Sequence, residues 1–452
     1  MNICDGKQVN SGKLNRFYPF YQFLSSAFIC STILFMFKGF PAFLKTKTSL
    51  ILLGTFLAVL IYALTRRTVD FYPFYWITRE LLYLNADLYG THPAFSYPPF
   101  FYCVVAPFAV FQAKVAFGLW IAFSVALLFA AIFLVLKMLQ SVPSGSPVFL
   151  TESWNKAYLG LALVLFIVFD NLYLGQSNIL VFFLTVFSIY LFEDGREYLS
   201  GITIAAAIAI KITPALFLVY FIFRGGRKVF TGALAGLAAF FFIIPSMFFG
   251  VARSNGFFRD FISQVILPFA KNDTIIRETV YYTHTNQSLD AFLVRHFTPM
   301  GAEWYPATGV HKFIDPAFFT VGQVKAFSAF FKVFLLSFFA FIFRGAPKKL
   351  RRLEYSLVFL LVFYISPSSW LSHYIAVIFA YYTAIFWFSC GTGEANRNTI
   401  LLGLFSAVIL TATGTTPFLQ SFSGMFIGHF ILFVCLTIVY LREKRISKTV
   451  LS

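Results

Sequence analysis

Apolar stretches of helix length recur along this whole chain, and that recurrence decides the class of fold. About 20 apolar residues cross the ~30 Å hydrocarbon core of a bilayer as a helix, because a helix satisfies its own backbone there. Candidate spans lie at 49–64, 98–112, 115–136, 157–170, 177–192, 199–222, 229–249, 321–343, 353–366, 373–389, 398–413 and 422–441. With 59% of 452 residues hydrophobic and 12% charged, a water-soluble domain could not hide this apolar surface. The expected fold is therefore an all-α polytopic membrane protein, with an N-terminal segment 1–48 and a single integral membrane domain 49–452. Within that segment, 18–37 follows Lys7, Lys13 and Arg16 without a small-residue cleavage site. It reads as retained, either an extra span or an interfacial helix, which brings the total to about 12–13.

The net charge of +17 does not point to nucleic acid, because the basic residues gather in short loops. Arg224, Arg227 and Lys228 form one cluster, Arg344, Lys348, Lys349, Arg351 and Arg352 a second, and Arg442, Lys444, Arg445 and Lys448 a third. This is the positive-inside pattern of cytoplasmic loops. Strict alternation from an outward 49–64 puts all three in the cytoplasm and the two long loops, 65–97 and 250–320, outside. The spans 157–170 and 177–192 are short, and predict a hairpin that dips in part way with Gly175-Gln176-Ser177-Asn178 at its tip. The scattered cysteines (Cys4, Cys30, Cys103, Cys390, Cys435) have no metal or redox spacing, and no internal repeat appears.

Chemistry is sought in the long outer loops, which usually carry function. No phosphate-binding glycine loop, zinc motif or Asp-x-Asp pair for a metal-held nucleotide sugar is present, and His92, His284, His296 and His311 lack metal-ligand spacing. No metal site is expected. Asp70 opens a loop crowded with aromatic residues, Phe71-Tyr72-Pro73-Phe74-Tyr75-Trp76, that closes at Tyr97-Pro98-Pro99-Phe100. A carboxylate at the bilayer surface, walled by rings, can take a proton from a sugar hydroxyl beside a lipid-borne donor. A solvated loop carboxylate is the plain alternative, and Glu80 and Asp87 are rivals for the base.

The order of several short motifs is informative. An Asp after the first core span is followed by Tyr97-Pro98-Pro99, Pro107, Gly175-Gln176-Ser177-Asn178, Lys211-Ile212-Thr213-Pro214, Asn286-Gln287-Ser288-Leu289, and Ser366-Pro367-Ser368-Ser369-Trp370 with His373. In these the chain, from about residue 60 to about 390, resembles the polyprenol-phosphate-mannose-dependent mannosyltransferases, glycosyltransferase family 87 of the C-fold superfamily. The resemblance implies an inverting transfer of a sugar, usually mannose, from a polyprenyl phosphate to a glycolipid or glycan acceptor on the outer face. It also implies a prokaryotic cytoplasmic membrane, with membrane lipids and the donor as partners and no other cofactor. Six candidate spans lie between the two outer loops, matching the superfamily's core of seven helices.

Roles follow residue by residue. Asp70 is the expected base, and one carboxylate suffices for an inverting displacement. Tyr97, Gln176, Asn178, Asn286 and Gln287 fall in the matched motifs and are expected at the donor phosphate or sugar. His373 could donate to the leaving phosphate, or be an interfacial residue. Lys211 sits mid-span, where a charge costs ~2.5–3.5 kcal/mol, so it faces either the phosphate or a structural partner such as Asp170. Pro214 just after it would open the helix beside a cavity. Arg295 could pair with phosphate or end the helix that Gln287–Phe297 suggests, and Asn286-Gln287-Ser288 also reads as a glycosylation sequon.

Two other readings share the basic loops and aromatic lining. One is a transporter or flippase of lipid-linked saccharides; the other is a lipid-diphosphate-dependent polymerase or ligase. Transporters keep several ionisable groups near the midplane, whereas here Lys211 stands nearly alone and Asp70 is at the surface.

Overall fold

The computed structural model describes residues 54, 61, 70–91, 97–140, 149–267, 284–298, 319–389, 392–415 and 420–449. The segment 18–37, almost all of the expected span 49–64 and much of the 250–320 loop lie outside the described residues. Among the described residues there is no strand. The helices are α1 (Phe71–Arg79), α2 (Pro99–Val105), α3 (Ala113–Gln140), α4 (Phe149–Leu174), α5 (Asn178–Glu193), α6 (Glu197–Ile210), α7 (Ala215–Phe223) and α8 (Arg227–Ala238). They continue with α9 (Val251–Asp260), α10 (Leu289–Phe297), α11 (Val321–Phe343), α12 (Arg351–Ile365), α13 (Val377–Ser389), α14 (Glu394–Thr411) and α15 (Gly424–Thr449). Wider turns prolong α8 to Phe249, and a 3-10 segment, Leu371–Ala376, leads into α13. Five helices in the described residues are long and apolar enough to cross a membrane, or six if α4 and α5, bent by 120° at their junction, count as one.

Two sets of polar contacts mark the two ends of the bundle. At the basic end, Arg351 and Arg352 pair with Glu193 at 3.2 and 3.3 Å. Arg352 also donates to the carbonyl of Met138, Arg224 to those of Phe343 and Ala346, and Lys444 to that of Arg344. At the other end Tyr75 donates to the carbonyl of Phe111, Asn171 to that of Ser372, and the Gln287 N–H to Ser369. The long helices run between these sets.

This frame corrects two of the expected spans. Residues 98–112 do not cross: α2 has seven residues, and bonds from Tyr75 and Arg79 to Phe111 and Ala109 keep the segment beside α1. Residues 199–222 form a helical hairpin, because both Glu197 and Phe223 lie next to basic-end anchors, Glu193 and Arg224. Its apex is Lys211-Ile212-Thr213-Pro214, where Pro214 has no N–H to give and disfavours helix at Thr213. One crossing too many and one return too few cancel, so the three basic clusters still share an end. The turn at Gly175 is seen, but α4 runs 26 residues rather than dipping in part way, and Glu193 at the end of α5 returns to the basic end, opposite to where strict alternation puts it.

Small residues let the hairpin pack. Gly232 and Gly236 put a small-x-x-x-small stripe on α8 facing α6, and a Cβ on Gly232 would lie 2.2 Å from the carbonyl oxygen of Tyr198. The reverse holds for Gly201, whose Cβ would meet the Val229 oxygen at 2.1 Å. Backbone contact on this scale fixes where α6 ends, and hence where Lys211 emerges.

Candidate active site

The site grows from the end of α4. Gly175 takes φ +67°, and the N–H groups of Gly175 and Gln176 reach back to the carbonyls of Leu172 and Asn171 at 3.1 Å, a Schellman ending. A Cβ at Gly175 would come 2.7 Å from that of Phe71, so only glycine lets this turn approach the start of α1. Trp120 holds the turn from below, its indole N–H 2.9 Å from the Gly175 carbonyl.

Asp70 is the residue before α1, where a carboxylate commonly caps the helix. Its side chain makes no capping bond; it accepts instead from Gln176 Nε2 at 2.5 Å. The carboxylate is half-buried, and burial pushes its pKa above the ordinary aspartate value while the Gln176 bond opposes that rise. α1 is anchored by Phe71, Phe74, Tyr75 and Ile77, all buried. Phe74 meets Tyr97 edge-on at 5.0 Å, and Tyr97 stacks on Phe101 at 4.2 Å. The Tyr97 hydroxyl donates to Gln176 Oε1 at 3.1 Å, and Ser177 Oγ lies 3.4 Å from it.

Lys211 stands across the Tyr97 ring, its Nζ 5.9 Å from the ring centre. Released from α6 in extended conformation, it donates to Asn178 Oδ1 at 2.7 Å and lies 2.8 Å from His373 Nε2. No carboxylate of the described residues reaches it at salt-bridge distance. The buried Nδ2 of Asn178 has no hydrogen-bond partner. These groups line a cavity with Thr213, Ser366 and Ser368 at its polar side and Phe182, Phe217 and Phe359 at its apolar side. Trp370 lies parallel to the His373 ring, 6.3 Å away.

Six of the expected residues are thus brought together: Asp70, Tyr97, Gln176, Asn178, Lys211 and His373. Three are not. Asn286 Oδ1 accepts the N–H groups of Ser288 and Ser369 at 3.1 and 3.0 Å, and Gln287 Nε2 donates to the carbonyls of His284 and Gln420. Arg295, buried in α10, donates to the Asn286 carbonyl and to Ser423 Oγ. All three brace the Ser366–Trp370 loop and its surroundings rather than lining the cavity. Asp170 is not the partner of Lys211; it lies within electrostatic reach of Asp70. Of the rival carboxylates, Asp87 faces Arg253, and Glu80 sits in the turn that ends α1, where its carbonyl accepts the Ala86 N–H. Asn171 was not anticipated from sequence. Its amide, 2.7 Å from the Ser372 carbonyl, ties the Gly175 turn to the segment bearing His373.

Two curated relatives are polyprenol-phosphate-mannose-dependent alpha-(1-2)-phosphatidylinositol mannoside mannosyltransferases, from Mycolicibacterium smegmatis and Mycobacterium tuberculosis. Each is 27% identical, over 180 and 173 residues respectively, and the matches take in 36% of this chain and 40% of the relatives. The chain therefore spans well under half the length of the curated relatives it matches. No solved structure matches it. The model of glycosyltransferase family 87 matches residues 95–367, from just before Tyr97, through Gln176, Asn178 and Lys211, to the loop that leads to His373. That match covers more than half of the sequence, and the chain belongs to glycosyltransferase family 87.

Proposed function

We propose that this protein is an inverting glycosyltransferase that moves a sugar from a polyprenyl-phosphate donor to a glycolipid or glycan acceptor. By the names of its relatives the sugar is mannose and the acceptor class a mannosylated lipid. The reaction takes place at the outer face of a prokaryotic cytoplasmic membrane, since the positive-inside pattern puts the basic end in the cytoplasm and the site at the other end.

One observation carries the reading: a carboxylate and a half-buried ammonium that has no counter-carboxylate among the described residues stand at opposite ends of one short polar chain, Asp70–Gln176–Tyr97–Lys211. The first suits a base and the second an anion. The acceptor hydroxyl has a pKa far above neutral, so Asp70 takes its proton as the oxygen attacks the anomeric carbon. The anomeric C–O bond breaks on the opposite face, and the bonding pair leaves with the polyprenyl phosphate. Its added charge is met by Lys211, the Asn178 Nδ2 and the His373 ring. A phosphate leaving group needs no protonation, so one carboxylate is enough for inversion.

The test is to incubate membranes containing the protein with radiolabelled polyprenyl-phosphate mannose. Label should pass into lipid or polymer, and the Asp70→Asn protein should not transfer it. Label that stays on polyprenyl phosphate, or a donor that crosses the bilayer unchanged, would overturn the proposal.

A further inference from the structure

We infer that Gln176 is a positioning residue for the Asp70 base, and that Tyr97 transmits the position of the anion seat to it. The inference rests on Asp70 being the base. It goes further by assigning what orients that base and what couples it to the donor end.

The direction of the hydrogen bonds is the ground for it. Ser177 Oγ donates to the Tyr97 hydroxyl, Tyr97 donates to Gln176 Oε1, and Gln176 Nε2 donates to Asp70 Oδ2. Every proton in the chain points toward the carboxylate. An ionised carboxylate can only accept, so this polarity fits Asp70 in its charged form. Burial pushes Tyr97 up to about 12, so its hydroxyl remains a donor at neutral pH. Were Asp70 protonated and donating, the Gln176 amide would have to turn over and the Tyr97 hydroxyl to reverse. The chain thus opposes protonation of the base and pins one carboxylate oxygen, leaving the other for the acceptor.

Neither residue is free to wander. Gln176 is 7% exposed and follows the Gly175 turn, whose backbone bonds hold it against α4. Tyr97 is clamped between Phe74 and Phe101, and its far face lies beneath the Lys211 ammonium. A phosphate drawn to Lys211 therefore acts on a ring whose hydroxyl holds the amide that holds the base. The charged or titratable groups that face Asp70 are Asp170 from α4 and Tyr97 itself, with Lys211 beyond the Tyr97 ring.

The experiment uses purified full-length protein in lipid nanodiscs, with polyprenyl-phosphate mannose as donor. Gln176→Met keeps the volume and removes both hydrogen bonds, and Tyr97→Phe removes one hydroxyl while keeping the stack. We expect Gln176→Met to lower kcat roughly 10–100-fold, the scale of a misplaced catalytic group, with the donor KM within about threefold. The acid limb of kcat against pH should move to higher pH, because a donor favouring the charged carboxylate has been removed. Tyr97→Phe should move both quantities the same way by less, and it carries the test alone if Gln176→Met does not fold. A fall in kcat without movement of the acid limb would make Gln176 merely structural and overturn the inference, as would a rise in donor KM alone. Unchanged kcat in both variants, with Asp70→Asn inactive, would overturn it and leave the base in place. An active Asp70→Asn protein would instead remove the base on which the inference stands.

Discussion

Asn286 accepts the backbone N–H of Ser369 at 3.0 Å, and the next residue, Gln287, gives its own N–H back to the Ser369 carbonyl at 2.7 Å. One side-chain bond and one backbone bond thereby join the segment 286–287 to the loop leading to His373. Buried amides in such a clamp are costly to leave unpaired. Asn286→Ala should therefore destabilise the fold by about 1–3 kcal/mol, and activity should fall in step with the folded fraction. Thermal unfolding in detergent, read beside the donor KM, checks this. Unchanged stability with a tenfold rise in donor KM would make Asn286 a direct donor contact.

Asp70→Asn keeps the shape of the side chain and removes its basicity. Turnover should drop roughly 10²–10⁴-fold, about 3–5 kcal/mol of barrier, while Glu80→Gln and Asp87→Asn stay near the parent rate. Burial raises the pKa of Asp70, so transfer should fail on the acid side at a pH above the usual aspartate range and rise as the group ionises. Steady-state rates of the three variants, and the parent's rate against pH, decide the point. Collapse of Glu80→Gln with Asp70→Asn intact would move the base.

Lys211→Met and His373→Ala should weaken donor use more than any loss of folded protein explains. Charge-assisted contacts are worth roughly 1.5–3 kcal/mol, or about 10–150-fold in donor KM at the ammonium. The His373 change should be smaller, since its ring is a neutral partner of the same anion. Donor titrations on folded variants would show no shift if both groups were only structural.

Gly232→Leu tests the hairpin packing. Its side chain would have to enter the backbone of Tyr198, so α6 and α8 must separate and Lys211, at the end of α6, must shift with them. Overpacking of this kind costs at least ~1–3 kcal/mol. Less folded protein from membranes is expected, measured by fluorescence-detected size exclusion. A normal yield would mean that the two helices lie farther apart than described.

Sidedness is checked by cysteine labelling of intact cells in a cysteine-free background. Leu84 and Lys348, both exposed, lie at opposite ends of the bundle. An impermeant maleimide should reach Leu84→Cys from outside, and Lys348→Cys only after permeabilisation. Labelling of Lys348→Cys alone would invert the topology and move the site to the cytoplasm.

Local signals were legible in the sequence, and pairings were not. Pro214 announces the break that frees Lys211, and Gly175 announces the turn carrying Gln176, since both act on their own backbone. The bond between Asp70 and Gln176 joins residues 106 apart, and nothing in either neighbourhood specifies the other. Asn286 and Gln287 read as site residues from the matched motif and Arg295 as a phosphate partner or a helix end, yet their partners lie at Ser369, Gln420 and Ser423. Asp170 looked like a partner for Lys211 by charge alone, whereas the extended backbone after Ile210 aims the ammonium at His373. Apolar length also misled at 98–112, where α1 and the 106–112 turn supply the cover that lipid would otherwise give.

The ending of α4 has a consequence for how this protein tolerates its surroundings. Asn171 at one side of that turn holds the His373 segment, and Gln176 at the other holds Asp70. Asp70 and the His373 segment, which sit on separate elements, are therefore both tied to six consecutive residues of one helix end, Asn171–Gln176. Helices tilt as bilayer thickness changes from one membrane to another. Here such tilting of α4 would carry Asp70 and His373 together, so their separation depends less on the lipid around the protein than on this one turn.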